Sequence, residues 1–317
     1  MSKILVIGSS NTDLIAKVDR LPSAGETIQG SFFLQAMGGK GANQALAAHR
    51  LGGDVKFVTC LGDDANGQNT LRYYEEEGLD VSASLIVGGV STGTAMILVD
   101  RDGENVIVIT PGANHELSPD YILKIEQEIA DASLVVLQLE IPYETVKKVC
   151  QIAALHKTSV LLNAAPAREI DSELLGLVDI LVVNETEIER ISGHLIGSLG
   201  EEGVIDELLK RGPGTVILTL GRSGSIVKNS EVNKHIPAFQ VEAVDTTAAG
   251  DTFCGALVAQ ISKGVDLVEA VKFATAASAI CVTKMGAQPS IPTEKEIAVF
   301  LSKDVALVNN GAGNTIL

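Results

Sequence analysis

The chain has 317 residues and a formal charge of −16, from 24 basic and 40 acidic side chains. A hydrophobic fraction of 46% excludes global disorder. The acid excess excludes a generic nucleic-acid or anionic-membrane surface, which needs clustered Lys and Arg, but leaves room for a small anion held by backbone N–H groups, one lysine and a divalent cation.

Short, unbroken apolar runs recur at residues 3–8, 55–62, 134–140, 159–166, 179–185 and 215–221. Each is rich in Val, Ile and Leu and closes on a polar residue or glycine, the pattern of strands buried on both faces of a parallel sheet. Helical patterns lie between them at 42–51, 118–130, 143–155 and 201–210. The alternation predicts an α/β fold, a mostly parallel sheet flanked by helices. Residues 12–36 and 91–109 break the helical period, and the second stretch reads as a hairpin turning at RDGE. We expect one α/β domain (1–11, 37–90 and 110–303), a small β-sheet lid (12–36 and 91–109) and a loosely held tail (304–317).

No apolar run reaches the roughly 18 residues of a membrane span. The N-terminal MSKILVIGSSNTD leads directly into a strand-like run without the features of a secretory signal. Cys60, Cys150, Cys254 and Cys281 are scattered among apolar or small residues. We expect a cytoplasmic protein with reduced cysteines and no zinc site.

Ligands of open α/β sheets bind beyond the carboxyl ends of the strands. The runs carry there Asn11 and Asp13, Glu140, Asn163, Asn184 with Glu185 and Glu187, and Thr219 with Gly221. Any one of them could simply cap the next helix; together they suit a polyol or a phosphate–metal site. Two glycine-rich segments add to this. In Met37-Gly38-Gly39-Lys40-Gly41-Ala42-Asn43, Gly39 and Gly41 permit close backbone approach to a ligand, Lys40 adds charge and Asn43 faces the same opening. It is not a Walker loop, because Gly follows the Gly-Lys pair. In Val244-Asp245-Thr246-Thr247-Ala248-Ala249-Gly250-Asp251, small residues expose N–H groups at a helix start, where the macrodipole favours an anion. Asp251 in the same turn suggests a base that deprotonates an alcohol attacking phosphorus. Gly255, one turn on, allows close packing of that helix.

MGGKGANQA and VDTTAAGDTF together resemble the two signatures of the ribokinase-type sugar kinases, also called the pfkB family. The resemblance runs nearly the whole length, with GSSNTD, GDDANG, STGTAMI, QLEIP, NAAPARE, VNETE, TLGRSG and TKMGAQPSIP in family order. It implies a ribokinase-like fold whose lid closes over the sugar and pairs with a second lid in a homodimer. It implies sugar contacts from Asn11, Asp13, Gly39, Lys40, Asn43 and Glu140, with Asp251 as general base. The amides of Ala248, Ala249, Gly250 and Asp251 would form the anion hole. Asn184 and Glu187 would organise Mg²⁺ and the ATP phosphates; Thr219, Gly221 and Gly250 would lie along the nucleotide, with Thr275 near the adenine. A potassium-type cation would sit among Asp245, Thr247, Lys284, Gly286 and Ser290. Asn163-Ala164-Ala165-Pro166 departs from the family in having Ala where Pro is frequent, and Thr275 stands where some members carry His.

The combination of GGKGAN with AAGD resembles the ribose-phosphorylating members more than their fructose, adenosine or phosphofructose relatives. The expected activity is transfer of the ATP γ-phosphoryl group to the 5-hydroxyl of D-ribose. The alternatives are a kinase for deoxyribose, a ketose or a nucleoside, and a non-catalytic sugar or nucleotide sensor.

Overall fold

Strand β1 (Lys3–Ile7) shows how the sheet is built: Leu5 and Ile7 enter one hydrophobic core while Ile4 and Val6 enter the other. A strand with two buried faces needs a helical layer on each side. The computed structural model describes residues 2–311. After β1 come β2 (Asn11–Lys17), β3 (Phe32–Gly38), α1 (Lys40–Arg50), β4 (Asp54–Val58), β5 (Cys60–Gly62), α2 (Ala65–Glu76), β6 (Leu85–Val87), β7 (Gly93–Val99) and β8 (Asn105–Thr110). The chain continues through α3 (Pro119–Lys124), α4 (Glu126–Asp131), β9 (Leu134–Leu137), α5 (Tyr143–His156), β10 (Ser159–Asn163), α6 (Ser172–Leu175), β11 (Ile180–Asn184), α7 (Glu185–Ser192), α8 (Ile196–Leu209) and β12 (Thr215–Thr219). It ends with β13 (Ser225–Lys228), β14 (Asn233–Ile236), α9 (Ala249–Ser262), α10 (Leu267–Cys281) and α11 (Glu294–Gly311).

Eight strands form the main sheet in the order β14-β13-β12-β11-β10-β9-β1-β4. From β12 to β4 all pairings are parallel. Strand β4 lies on one side of β1 and β9 on the other, so the winding reverses beside β1 and opens a crevice at the carboxyl ends there. Helices α1, α9 and α10 pack one face, and α5, α7 and α8 the other. A separate four-stranded sheet, β3-β2-β7-β8, joins the two excursions expected as a lid. Its central pair β2–β7 is parallel and its outer pairs are antiparallel.

Several sequence expectations shift. The run at 55–62 is two strands: β4 stays in the main sheet, and β5 pairs with β6 after Thr59, whose backbone is bonded to Ser84 and Leu85. The helix expected at 118–130 breaks at Ile125 (φ −109°, ψ 19°) into α3 and α4. Helix α8 begins before 201 and bends at Gly200, which has φ 74°. The hairpin β13–β14 extends the sheet with antiparallel strands that no apolar run announced. The stretch read as a tail from residue 304 is helical in α11 as far as Gly311; residues 312–317 lie outside the described residues.

Candidate active site

Asp251 sits in the first turn of α9, only 6% exposed. Its Oδ2 accepts a hydrogen bond from Asn43 Nδ2 and its Oδ1 one from Gln44 Nε2, each 2.9 Å long. Both amides come from the first turns of α1, so the site depends on how closely α1 and α9 approach. Gly255 sets that approach: a Cβ there would lie 2.5 Å from Ala47 Cβ and 2.7 Å from the Gln44 carbonyl.

The turn before α9 leaves amides free. Ala248 takes a left-handed conformation, with φ 59°, and starts the helix without a side-chain cap. Ala249 N–H is donated to the Thr246 carbonyl at 3.2 Å. This corrects the expectation of a cradle from all of residues 248–251: among the described residues the unpartnered amides are those of Ala248, Gly250 and Asp251. A Cβ on Gly250 would meet nothing within 4 Å, so the mouth of the cradle is open.

The carboxyl ends of β1 and β9 meet α1 at the crevice. Glu140 Oε2 accepts from Ser9 Oγ at 2.6 Å and from the Lys40 amide at 3.0 Å, so Glu140 caps the start of α1 as well as facing the crevice. Gly39 precedes the helix with φ 91°, a left-handed conformation that favours glycine. Gly41 has a packing role instead of a ligand-facing one: a Cβ would lie 2.6 Å from Gly8 C and Ser9 N. Asn11 is buried with its Oδ1 accepting from Asn114 Nδ2 at 2.8 Å, so a second asparagine orients it.

Asp13 is 7% exposed, and no described side chain donates to its carboxylate. Burial, then the neighbouring charges of Glu140 and Asp251, push its carboxyl up to about 7. A charged group held this way lacks donors that a ligand could supply. Lys40 is half-buried. Burial pulls its ammonium down, but Asp251, Glu140 and Glu187 outweigh it and hold the value above the usual lysine range.

Asn184 and Glu187 form a reciprocal capping box on α7: Asn184 Oδ1 accepts from the Glu187 amide at 2.8 Å, and Glu187 Oε2 from the Asn184 amide at 2.9 Å. The helix-capping alternative therefore holds for this pair. Glu187 is nonetheless 6% exposed, and burial, with Asp251 adding, raises its carboxyl although the Asn184 amide and Lys40 oppose this. Its Oε1 has no hydrogen-bond partner among the described residues. Thr219 Oγ1 donates to the Val183 carbonyl at 3.3 Å, and Gly221 turns the chain with φ 52°. Thr275 Oγ1 donates to the Val271 carbonyl of its own helix at 2.8 Å, so its hydroxyl proton is not free for a ligand.

Asp245 clasps two loops. Its Oδ1 accepts from the Thr247 amide (2.9 Å) and hydroxyl (2.6 Å), and its Oδ2 from the Gly286 amide (2.9 Å). Burial pushes its carboxyl up, but the bonds from Thr247 and Gly286 prevail and hold it below the usual range. The Lys284 ammonium pairs with Glu296 at 2.6 Å, leaving only backbone oxygen at that residue for a cation. Ser290 Oγ is buried, donates to the Ala287 carbonyl at 2.6 Å and lies 3.0 Å from Cys281 Sγ.

Sequence reasoning missed Gln44 and Gln138. Both are fully buried, and Gln138 Nε2 donates to Gln44 Oε1 at 2.7 Å. The available signal was a glutamine inside an otherwise apolar strand exit (LVVLQLE) and another inside an alanine-rich helix.

A crevice at the switch point of a parallel sheet, a lid, and an acid beside free helix-start amides define an α/β phosphotransferase-type site. The family model for pfkB family carbohydrate kinases matches residues 1–294, and the chain belongs to that family. Among its relatives, a ribokinase of Haemophilus influenzae is 40% identical over 301 residues, covering 94% of this chain and 98% of that one. A deoxyribokinase of Salmonella typhi is 37% identical over 301 residues, covering 94% and 98%. Among solved structures, the ribokinase of Thermotoga maritima matches with a TM-score of 0.89 and 39% identity, over 95% of this chain and all of that one. Arabidopsis thaliana ribokinase complexed with ribose and ATP matches with a TM-score of 0.86 and 32% identity, over 95% and 98%.

Proposed function

We propose that this carbohydrate kinase transfers the γ-phosphoryl group of ATP to the 5-hydroxyl of D-ribose. The observation that carries the reading is Asp251: a buried carboxylate, fixed through both oxygens by Asn43 and Gln44, in the same turn as three unpartnered helix-start amides. It is placed to take the proton of an attacking alcohol while the amides of Ala248, Gly250 and Asp251 meet charge on the transferring group. Asp13, Asn11, Asn43, Glu140 and the Gly39–Lys40 backbone supply the acceptors and donors for sugar hydroxyls. Asn43 Oδ1, buried without a partner, fits a sugar hydroxyl as donor. Lys40 contributes positive charge beside the phosphates. Thr219, Gly221 and Gly250 line the nucleotide path, and Thr275 borders the adenine by packing.

Glu187 Oε1 and the fixed Asn184 suit a hydrated Mg²⁺, which supplies charge neutralisation for the phosphates. Asp245, the Thr247 carbonyl and the backbone around Lys284 and Gly286, with Ser290 behind them, make an all-oxygen set that suits a hard monovalent cation such as K⁺. Such an ion would stiffen the loop that precedes the cradle.

The lid consists of β2, β3, β7 and β8, and we infer that it pairs with a second copy. Every residue of β8 is exposed, among them Val106, Ile107, Val108 and Ile109, and Phe33 on β3 is 64% exposed. A long apolar edge strand of this kind is ordinarily covered. Among the described residues no helix is long and apolar enough to cross a membrane, and all four cysteines are buried and free, which supports a reducing, cytoplasmic setting.

The test is ADP-coupled turnover with ribose against deoxyribose, and with Asp251→Asn. Ribose should have the higher kcat/KM, and Asp251→Asn should lose about 10²–10⁴-fold in turnover while still binding ATP. A preference for deoxyribose would move the substrate to the deoxyribokinase branch; near-normal turnover of Asp251→Asn would remove the base assignment.

A further inference from the structure

The hydrogen bond from Gln44 to Asp251 is one end of a relay. Gln44 Nε2 donates to Asp251 Oδ1 (2.9 Å) and to Asn163 Oδ1 (3.1 Å), which uses both of its protons. Gln44 Oε1 accepts from Gln138 Nε2 at 2.7 Å. One buried amide thus joins α1 to the exits of β9 and β10 and to the first turn of α9.

The relay has a fixed direction. Two acceptors, Asp251 and Asn163, face one end of Gln44 and a donor, Gln138, faces the other. Turning the Gln44 amide over would aim its oxygen at the Asp251 carboxylate and its protons at the Gln138 amide. Gln138 keeps this orientation although its own Oε1 is buried with no partner. Gly8 leaves the space for that oxygen, since a Cβ there would lie 2.0 Å from it. An unpaired buried acceptor is unfavourable, and it persists where the surrounding bonds determine it.

We propose that Gln44 is a positioning residue that fixes the orientation of the Asp251 carboxylate toward the attacking hydroxyl, and that Gln138 acts on the reaction only by holding Gln44. This rests on the reading of Asp251 as the base. Asn43, the second donor to Asp251, keeps its Oδ1 without a protein partner and so available to a ligand; Gln44 is fully buried, and its amide is taken up by Asp251, Asn163 and Gln138. Gln44 therefore acts on the rate of the chemical step with little effect on the binding of either substrate.

The experiment uses the full chain with Gln44→Met and Gln138→Met, which conserve volume and remove the amide, each alone and combined with Asp251→Asn. We expect Gln44→Met to lower kcat about 10- to 100-fold with both KM values within about threefold of the wild type. Gln138→Met should change kcat in the same direction by less. In the Asp251→Asn background both effects should vanish, because the carboxylate they orient is gone. A Gln44→Met effect that persists undiminished in that background, or an unchanged kcat, overturns the positioning role. Should Gln44→Met fail to fold, Gln44→Glu has the same shape but cannot donate to Asp251 and Asn163 together; wild-type kcat in that variant at every pH tested overturns the role, since an ionised carboxylate has no proton to offer Asp251. Near-normal turnover of Asp251→Asn alone would instead strike the base assignment, so the two failures are distinguishable.

Discussion

The Asp13 carboxylate lies directly over Gly38, so that a Cβ on Gly38 would come within 2.1 Å of Asp13 Oδ2. The two residues belong to adjacent lid strands, where Asn11 pairs with Gly38 and Asp13 with Ala36. The absence of a side chain at 38 is what lets an acid occupy the floor of the lid. Gly38→Ala should displace Asp13 and weaken sugar binding by at least about tenfold, with ATP binding unchanged. Isothermal titration with each substrate separates the two.

Asp13 also predicts a pH dependence. Its carboxyl is raised from the ordinary 3.8 to about 7 by burial and by its acidic neighbours. The folded protein therefore holds the proton longer than the unfolded chain. Sugar-free stability should fall as pH rises from about 4 to about 7 and level off above that. Asp13→Asn should remove this penalty, making the sugar-free protein more stable by roughly 4 kcal/mol at pH 8 and no more stable at pH 4. Denaturant midpoints at the two pH values decide it. On the proposed role of Asp13 in sugar binding, the same variant should lose about 100-fold in sugar affinity.

Gly255→Ala places a methyl group against Ala47 and the Gln44 carbonyl. We expect a loss of about 1–3 kcal/mol in stability from overpacking. Because the α1–α9 distance also sets the bonds of Asn43 and Gln44 to Asp251, kcat should drop more than tenfold at temperatures where the variant is fully folded. Thermal unfolding and turnover measured together separate the two effects.

Asn184→Ala removes half of the capping box on α7. The expected cost is about 1 kcal/mol. The Glu187 amide then loses its acceptor, Asn184 Oδ1, while Glu187 Oε2 keeps the backbone N–H of residue 184; the loosened first turn of α7 should raise the KM for MgATP while the KM for sugar stays constant. An equal rise in both would point to general loosening of the site.

Lid pairing is tested by charge. Ile107→Lys and Val108→Glu lie on the exposed β8 and touch no proposed ligand residue. Each should convert a dimer to monomers in sedimentation velocity while leaving thermal stability of the α/β domain within about 0.5 kcal/mol.

The parallel sheet was readable because strands buried on both faces appear as continuous apolar runs, as in residues 134–137 and 180–183. The separate four-stranded sheet was readable because its stretches lack helical period, and the two glycine segments because glycine and small residues are concentrated there. Breaks at Thr59 and Ile125 were not, since both residues continue the local hydrophobic pattern and the interruption comes from tertiary hydrogen bonding and helix geometry. The relay through Gln44 was not readable for another reason. Its four members stand at positions 44, 138, 163 and 251, and nothing in local spacing says that their amides and carboxylate meet. Reading Gly41 as ligand-facing failed because a glycine that admits a ligand and one that admits a neighbouring strand exit look the same in sequence.

Residues 38–44 hold at once the gap beneath Asp13, the left-handed entry into α1, the amide that caps onto Glu140, and both donors to Asp251. On the proposed reading of the site, sugar recognition and base orientation share one seven-residue ribbon. A library aimed at new sugars that varies this ribbon would scramble turnover along with selectivity. Changes that redirect the substrate while sparing the chemistry are better sought across the crevice, on the lid strands β2 and β7.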